Sequence, residues 1–151
     1  MRLSIFAALL CGIALVQPAA AQDMRGKLME ESRMQHERAH ELKSSAEADQ
    51  SMAQQFNDQA MRLEDHAHRL DGRALEFRAM ASQYAQSPGS RDQLMKFAEE
   101  SENYARSDRQ NAGFRRRLGS DLANSARASF EDAQHHEEHA RRIDDFLRRF
   151  Q

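Results

Sequence analysis

Histidine is the one residue type in this chain that is both chemically versatile and clustered. His36 and His40 stand four apart, as do His135 and His139, and His136 lies three before His139. On a helix such spacings put side chains on one face, the arrangement in which neutral imidazoles ligate zinc or copper. His66 and His68 are two apart and point to different sides. Glu37 and His40 have the Glu-x-x-His spacing of di-iron bundles. Those centres also need inward carboxylates from the other helices, and no such set lines up here. Met24, Met29 and Met34 precede the first pair, but a spacing of five does not hold one helix face, so no ordered thioether site is expected. The candidate metal ligands are therefore His36, His40, His135, His136 and His139. The plainer reading is that they are solvated and pair with neighbouring glutamates. No nucleophile constellation, phosphate loop or cysteine pair accompanies them, so neither an enzymatic activity nor a resident cofactor is expected.

The elements that must position these residues are written in a seven-residue repeat. Ala39, Ala46, Ala53, Ala60, Ala67, Ala74 and Ala81 mark one position. Leu42, Asp49, Phe56, Leu63, Leu70, Phe77 and Tyr84 mark the other seam position between them. After Pro88-Gly89 the small-residue row resumes as Ala98, Ala105, Ala112, Gly119, Ala126, Ala133 and Ala140. A strict seven-residue period keeps one helix face on a partner, and alanine lets the backbones come close. The pattern resembles the alanine zippers of small murein lipoproteins. It departs from them in lacking a lipobox, since Leu10 precedes Cys11, and no family is assigned.

Two helices are expected, residues 23–86 and 91–150. Asp23 would cap the first, the turn would span residues 87–90, and Ser90 and Gln93 would form a capping box for the second. So short a connection makes the pair antiparallel. With the turn centred near Pro88, His40 lies level with His136 and His36 with Ala140, and His36 faces Glu137 rather than His139. The second helix has a seam that is poor in its middle, with Ser101, Asp108, Arg115 and Ser129 among Leu94, Leu122, His136 and Ile143. Phe97, Tyr104, Leu118 and Phe146 flank it, and Met52 and Met80 flank the first. Such widened apolar faces exceed what one partner helix covers. The fold class is thus all-α, a long antiparallel helical hairpin with an alanine-rich heptad seam, expected to assemble with its own copies into a multi-helix bundle.

The first residues belong to a different category. Met1-Arg2, the apolar run Leu3–Val16, the break at Gln17-Pro18 and the sequence Ala19-Ala20-Ala21 have the form of a secretory signal peptide, residues 1–21. The remaining domain, residues 22–151, then has no cysteine, because Cys11 leaves with the leader. A bacterial periplasm or the cell exterior is the expected location, and no transmembrane segment is expected in the mature chain. A net charge of −2 argues against a general nucleic-acid binder. The expected function is non-enzymatic, with protein–protein contacts in envelope assembly or chaperone-like binding. Its partners would be its own copies and an envelope protein. The alternative is a periplasmic metal-binding or metal-buffering protein using the clustered histidines.

Overall fold

The computed structural model describes the backbone of residues 4–149 and the side chains of residues 22–149. Two helices, α1 (Ser4–Gln83) and α2 (Pro88–Arg149), pack against each other as a hairpin, with no strand among the described residues. Alanine and arginine, both strong helix formers, are the commonest residues of the two helices taken together. Arg148 and Arg149 occupy the last turn of α2, where cations complement the helix dipole.

The ends of the helices differ from expectation in an instructive way. α1 begins upstream of Asp23, and that residue is no cap: its carboxylate accepts from Lys27 one turn on, at 2.7 Å. The connection is made by Tyr84–Ser87 rather than by residues 87–90. Ser87 N donates to Tyr84 O at 2.9 Å, and Arg91 N donates to Ser87 O at 3.0 Å. Ser87 therefore stands at the N-cap of α2 and Pro88 at its first helical position. Proline suits that place, because its fixed φ is helical and its missing amide would have had no partner. The hydroxyls of Ser87 and Ser90 lie 3.2 Å apart, so the serine expected to open a capping box instead lies inside the first turn. Gly89 is helical, and no described residue has a positive φ.

The hairpin divides into two compact units: a terminal unit (Met1–Ser45 with Ala128–Gln151) and a turn unit (Ala46–Arg127). In the turn unit, Ala46, Ala53, Ala60, Ala67, Ala74, Ala81, Ala98, Ala105, Ala112 and Ala126 are all buried, as is Gly119. In the terminal unit, Ala39, Ala133 and Ala140 are buried, and Ser32 continues the row seven residues before Ala39. Larger side chains are mostly at the rim: Leu70 and Ile143 are the only ones among the described residues to fall in the buried class. Tyr84, expected in the seam, is exposed because the chain has already left the helix there.

Two polar seam residues of α2, Asp108 and Arg115, find partners on α1 in the turn unit. Asp108 meets His66 at 2.6 Å. The Arg115 guanidinium lies 5.9 Å from the Phe56 ring centroid and donates to Gln59. Ser101 turns back on its own helix, donating to the Phe97 carbonyl at 2.8 Å. No buried side-chain nitrogen or oxygen lacks a partner among the described residues.

Among the described glycines the helices approach most closely at Gly119, where an added Cβ would come within 2.9 Å of Asn57 Oδ1 and 3.1 Å of the Ala53 carbonyl oxygen. At Gly72 and Gly113 it would meet nothing within 4 Å. Gly72→Ala and Gly113→Ala are therefore expected each to stabilise the protein by up to about 1 kcal/mol through helix propensity. Gly119→Ala should forfeit that gain, because α1 backbone and Asn57 must give way. Urea melts of the three variants check this, and a Gly119→Ala gain equal to the others would contradict the close approach.

Candidate functional site

The five histidines of the terminal unit do not converge. The seam lies between them, which is the physical reason. His36 Nε2 contacts Asp144 Oδ2 at 3.2 Å, on the side four residues after the buried small positions of both helices. His139 stands one residue before Ala140, on the opposite side, with its Nε2 3.9 Å from Glu31 Oε1. His136 is in the seam and makes a 2.5 Å hydrogen bond through Nδ1 to Gln35 Oε1. His40 and His135 are exposed. Among the described residues no group of three or more histidine, cysteine, aspartate or glutamate side chains could hold a metal ion. His36 is near enough to Glu137 to add electrostatic attraction, but the hydrogen bond to that carboxylate comes from Lys43 at 2.5 Å, and Arg141 stands 3.8 Å from it.

What the terminal unit does assemble is a polar cluster around Asp144. Ser32 is buried, and its hydroxyl donates to Asp144 Oδ1 at 2.5 Å while His36 approaches the other oxygen. The three residues border an open cleft of about 500 Å³ that also includes Arg25, Met29 and Leu147. A serine, a histidine and an aspartate together invite comparison with nucleophilic catalysis. There, however, the imidazole stands between hydroxyl and carboxylate so that it can take the hydroxyl proton. Here the carboxylate stands in the middle, and Ser32 gives its hydrogen bond to Asp144. The cluster orients α1 on α2 and does not activate the serine. Sequence reasoning missed Ser32 and Asp144, although Ser32 stands in step with the alanine row, where a hydroxyl must find a partner.

Hydrogen bonds to the ionised forms hold three carboxyls below their ordinary values: Glu30, through Arg33, and the two interhelical ones, Asp144 and Glu137. For Asp144 the largest cause is Ser32, followed by His36; for Glu137 it is the Lys43 hydrogen bond, with Lys43, Arg141 and His36 adding attraction. A group whose pKa is lower in the folded chain contributes stability above its unfolded pKa and loses it as pH falls through the folded value. Melting temperature should therefore decline as pH is taken from about 5 to below about 3, the range beneath ordinary carboxylate pKa values. Asp144→Asn, which can still accept from Ser32, should flatten that decline. An acid slope identical to wild type would refute the assignment.

The turn unit has two unlike faces. Four residues after the buried small positions, α1 carries Glu64, Asp71 and Arg78 and α2 carries Glu102, Arg109 and Arg116. These form a ladder of interhelical bridges: Arg78–Glu102 at 2.7 Å, Arg109–Asp71 and Arg116–Glu64. One residue before the buried small positions lie Met52 and Met80 on α1, and Phe97, Tyr104 and Leu118 on α2. Met52, Met80, Phe97 and Tyr104 are exposed. Phe97 is anchored by a tilted contact with Phe77, ring centroids 5.6 Å apart. The alternating charges that build the ladder are visible in the sequence at this spacing, yet their meaning depends on the register between helices.

The fold thus defines a two-helix hairpin whose turn unit has one face closed by ion pairs and another that exposes Met52, Met80, Phe97 and Tyr104. Comparison with family models, curated proteins and solved structures finds no match for this chain.

Proposed function

We propose that this chain is an exported, non-enzymatic helical hairpin that works through protein–protein contacts in the cell envelope, and that its apolar face is covered in an assembly. One observation carries the reading: Met80, Phe97 and Tyr104 stand exposed on the face opposite the ion-pair ladder, while the residues buried within the hairpin are almost all alanine. Aromatic and methionine side chains gathered on one surface are the usual composition of an interface core. An alanine seam buries little apolar area, at about 25 cal/mol per Å², so covering this face would add much of the stabilisation that the hairpin itself lacks. Among the described residues no helix is long and apolar enough to cross a membrane, and export rests on the leader-like residues 1–21.

Assembly makes stability depend on concentration by mass action. Thermal melts over a hundredfold dilution should shift to lower temperature as the protein is diluted, and sedimentation should report a mass above the monomer. An unchanged melting temperature together with a monomer mass would overturn the reading. Export is tested separately by the N-terminal sequence of the protein recovered from an envelope fraction, expected to begin near Gln22.

A further inference from the structure

The apolar face of the turn unit carries opposite charges on its two helices. On α1 the residues one before and two after the buried small positions include Arg62, Arg69 and Arg73, with Glu76 the single acid among them. The corresponding rows of α2 include Glu100 and Asp121 and no lysine or arginine, interleaved with Phe97, Tyr104, Phe114 and Leu118. Arg62, Arg69, Arg73, Phe114 and Tyr104 are all exposed. The register is set by Phe77 against Phe97 and by Arg78–Glu102, Asp71–Arg109 and Glu64–Arg116. It puts Met80 level with Phe97, Arg73 level with Tyr104, and Arg62 level with Phe114.

Two kinds of two-fold axis could bury this face against a second copy. With the axis perpendicular to the helices, α1 meets α1 and the turns point in opposite directions. The arginine-bearing flank of α1 then opposes its own copy, and the acid-bearing flank of α2 does the same. With the axis along the helices, α1 of one copy meets α2 of the other at the same level and the turns lie side by side. Each exposed aromatic then receives a complementary partner: the Met80 thioether at Phe97, and the guanidinium groups of Arg73 and Arg62 at Tyr104 and Phe114. Sulfur–aromatic and cation–π contacts are both attractive, and like-charge contact across an interface is strongly disfavoured. We infer that this face is a homodimer interface in which two hairpins lie in parallel, turns together, as a four-helix bundle. The area suffices: a two-helix surface roughly 60 Å long and about 20 Å wide offers more than the ~800 Å² per partner of an ordinary stable interface.

The inference rests on the reading that the apolar face is covered, and the test separates the two. The full chain carrying Cys11→Ser and Gln86→Cys bears a single thiol at an exposed turn residue, to which a nitroxide is attached. In the parallel dimer the two labels should lie within about 30 Å of each other; with turns opposed they would be roughly 60 Å or more apart at 1.5 Å rise per residue. Arg73→Glu and Tyr104→Glu should each weaken the dimer at least tenfold in sedimentation, with helicity of the dilute protein retained by circular dichroism. Adding Glu100→Arg to Arg73→Glu should restore much of the loss. A dimer with the long label separation overturns the parallel arrangement and leaves the covered face standing. A dimer indifferent to both Glu substitutions places the interface elsewhere and overturns the inference. Absence of any assembly overturns the inference and the proposed function together.

Discussion

Leucine in place of Ala67 is expected to cost roughly 1–3 kcal/mol of unfolding free energy, as overfilling of a well-packed core does. Ala67 is 1% exposed and belongs to the small buried cluster with Leu70 and Ala105. Three added carbons have no room between helices whose spacing is set by alanine and glycine, so either the backbones separate or the register slips. Separation would also stretch the ladder of Arg109–Asp71 and Arg116–Glu64 on the same unit. Asp65→Leu, at an exposed position of the same helix turn, should stay within about 0.5 kcal/mol, as surface changes usually do. Denaturant melts on both variants are the measurement. Equal effects would mean that the buried row has been misplaced. Asp71 is no neutral control, because its carboxylate accepts from Arg109.

The opposite perturbation has a comparable size. Leu70 is the one large side chain of the turn unit in the buried class, and Leu70→Ala removes it from a core otherwise made of methyl groups. Truncation of a buried leucine costs about 2–5 kcal/mol. The lower half of that range is expected here, since a two-helix seam can close partly over the gap. Leu75, five residues on and 65% exposed, should tolerate alanine almost without cost. Typical domains are stable by about 5–15 kcal/mol in total, so Leu70→Ala should lower the denaturant midpoint visibly. If Leu70→Ala and Leu75→Ala prove equally mild, the alanine row alone holds the turn unit and Leu70 has no special part in it.

Much of the architecture was legible before any coordinates. The alanine row and its return after Pro88 determined an all-helical antiparallel hairpin, because a seven-residue period of small residues lets one helix face lie continuously against another. The row of Phe97, Tyr104, Met52 and Met80 could be assigned to one flank by spacing alone. These are properties of a single helix repeated along its length, and local spacing suffices to read them. The tertiary structure decided what depends on the second helix. Pro88 starts α2 instead of ending α1, with the Ser87 carbonyl accepting the first helical hydrogen bond from Arg91 N. His36, His136 and His139 are divided by the seam among Asp144, Gln35 and Glu31, so a cluster dense in sequence is dispersed in space. Ser32 and Asp144 meet across 112 residues of chain, a pairing that no local spacing encodes. Periodicity says which face a residue occupies, but only packing brings a particular donor within hydrogen-bonding distance of a particular acceptor.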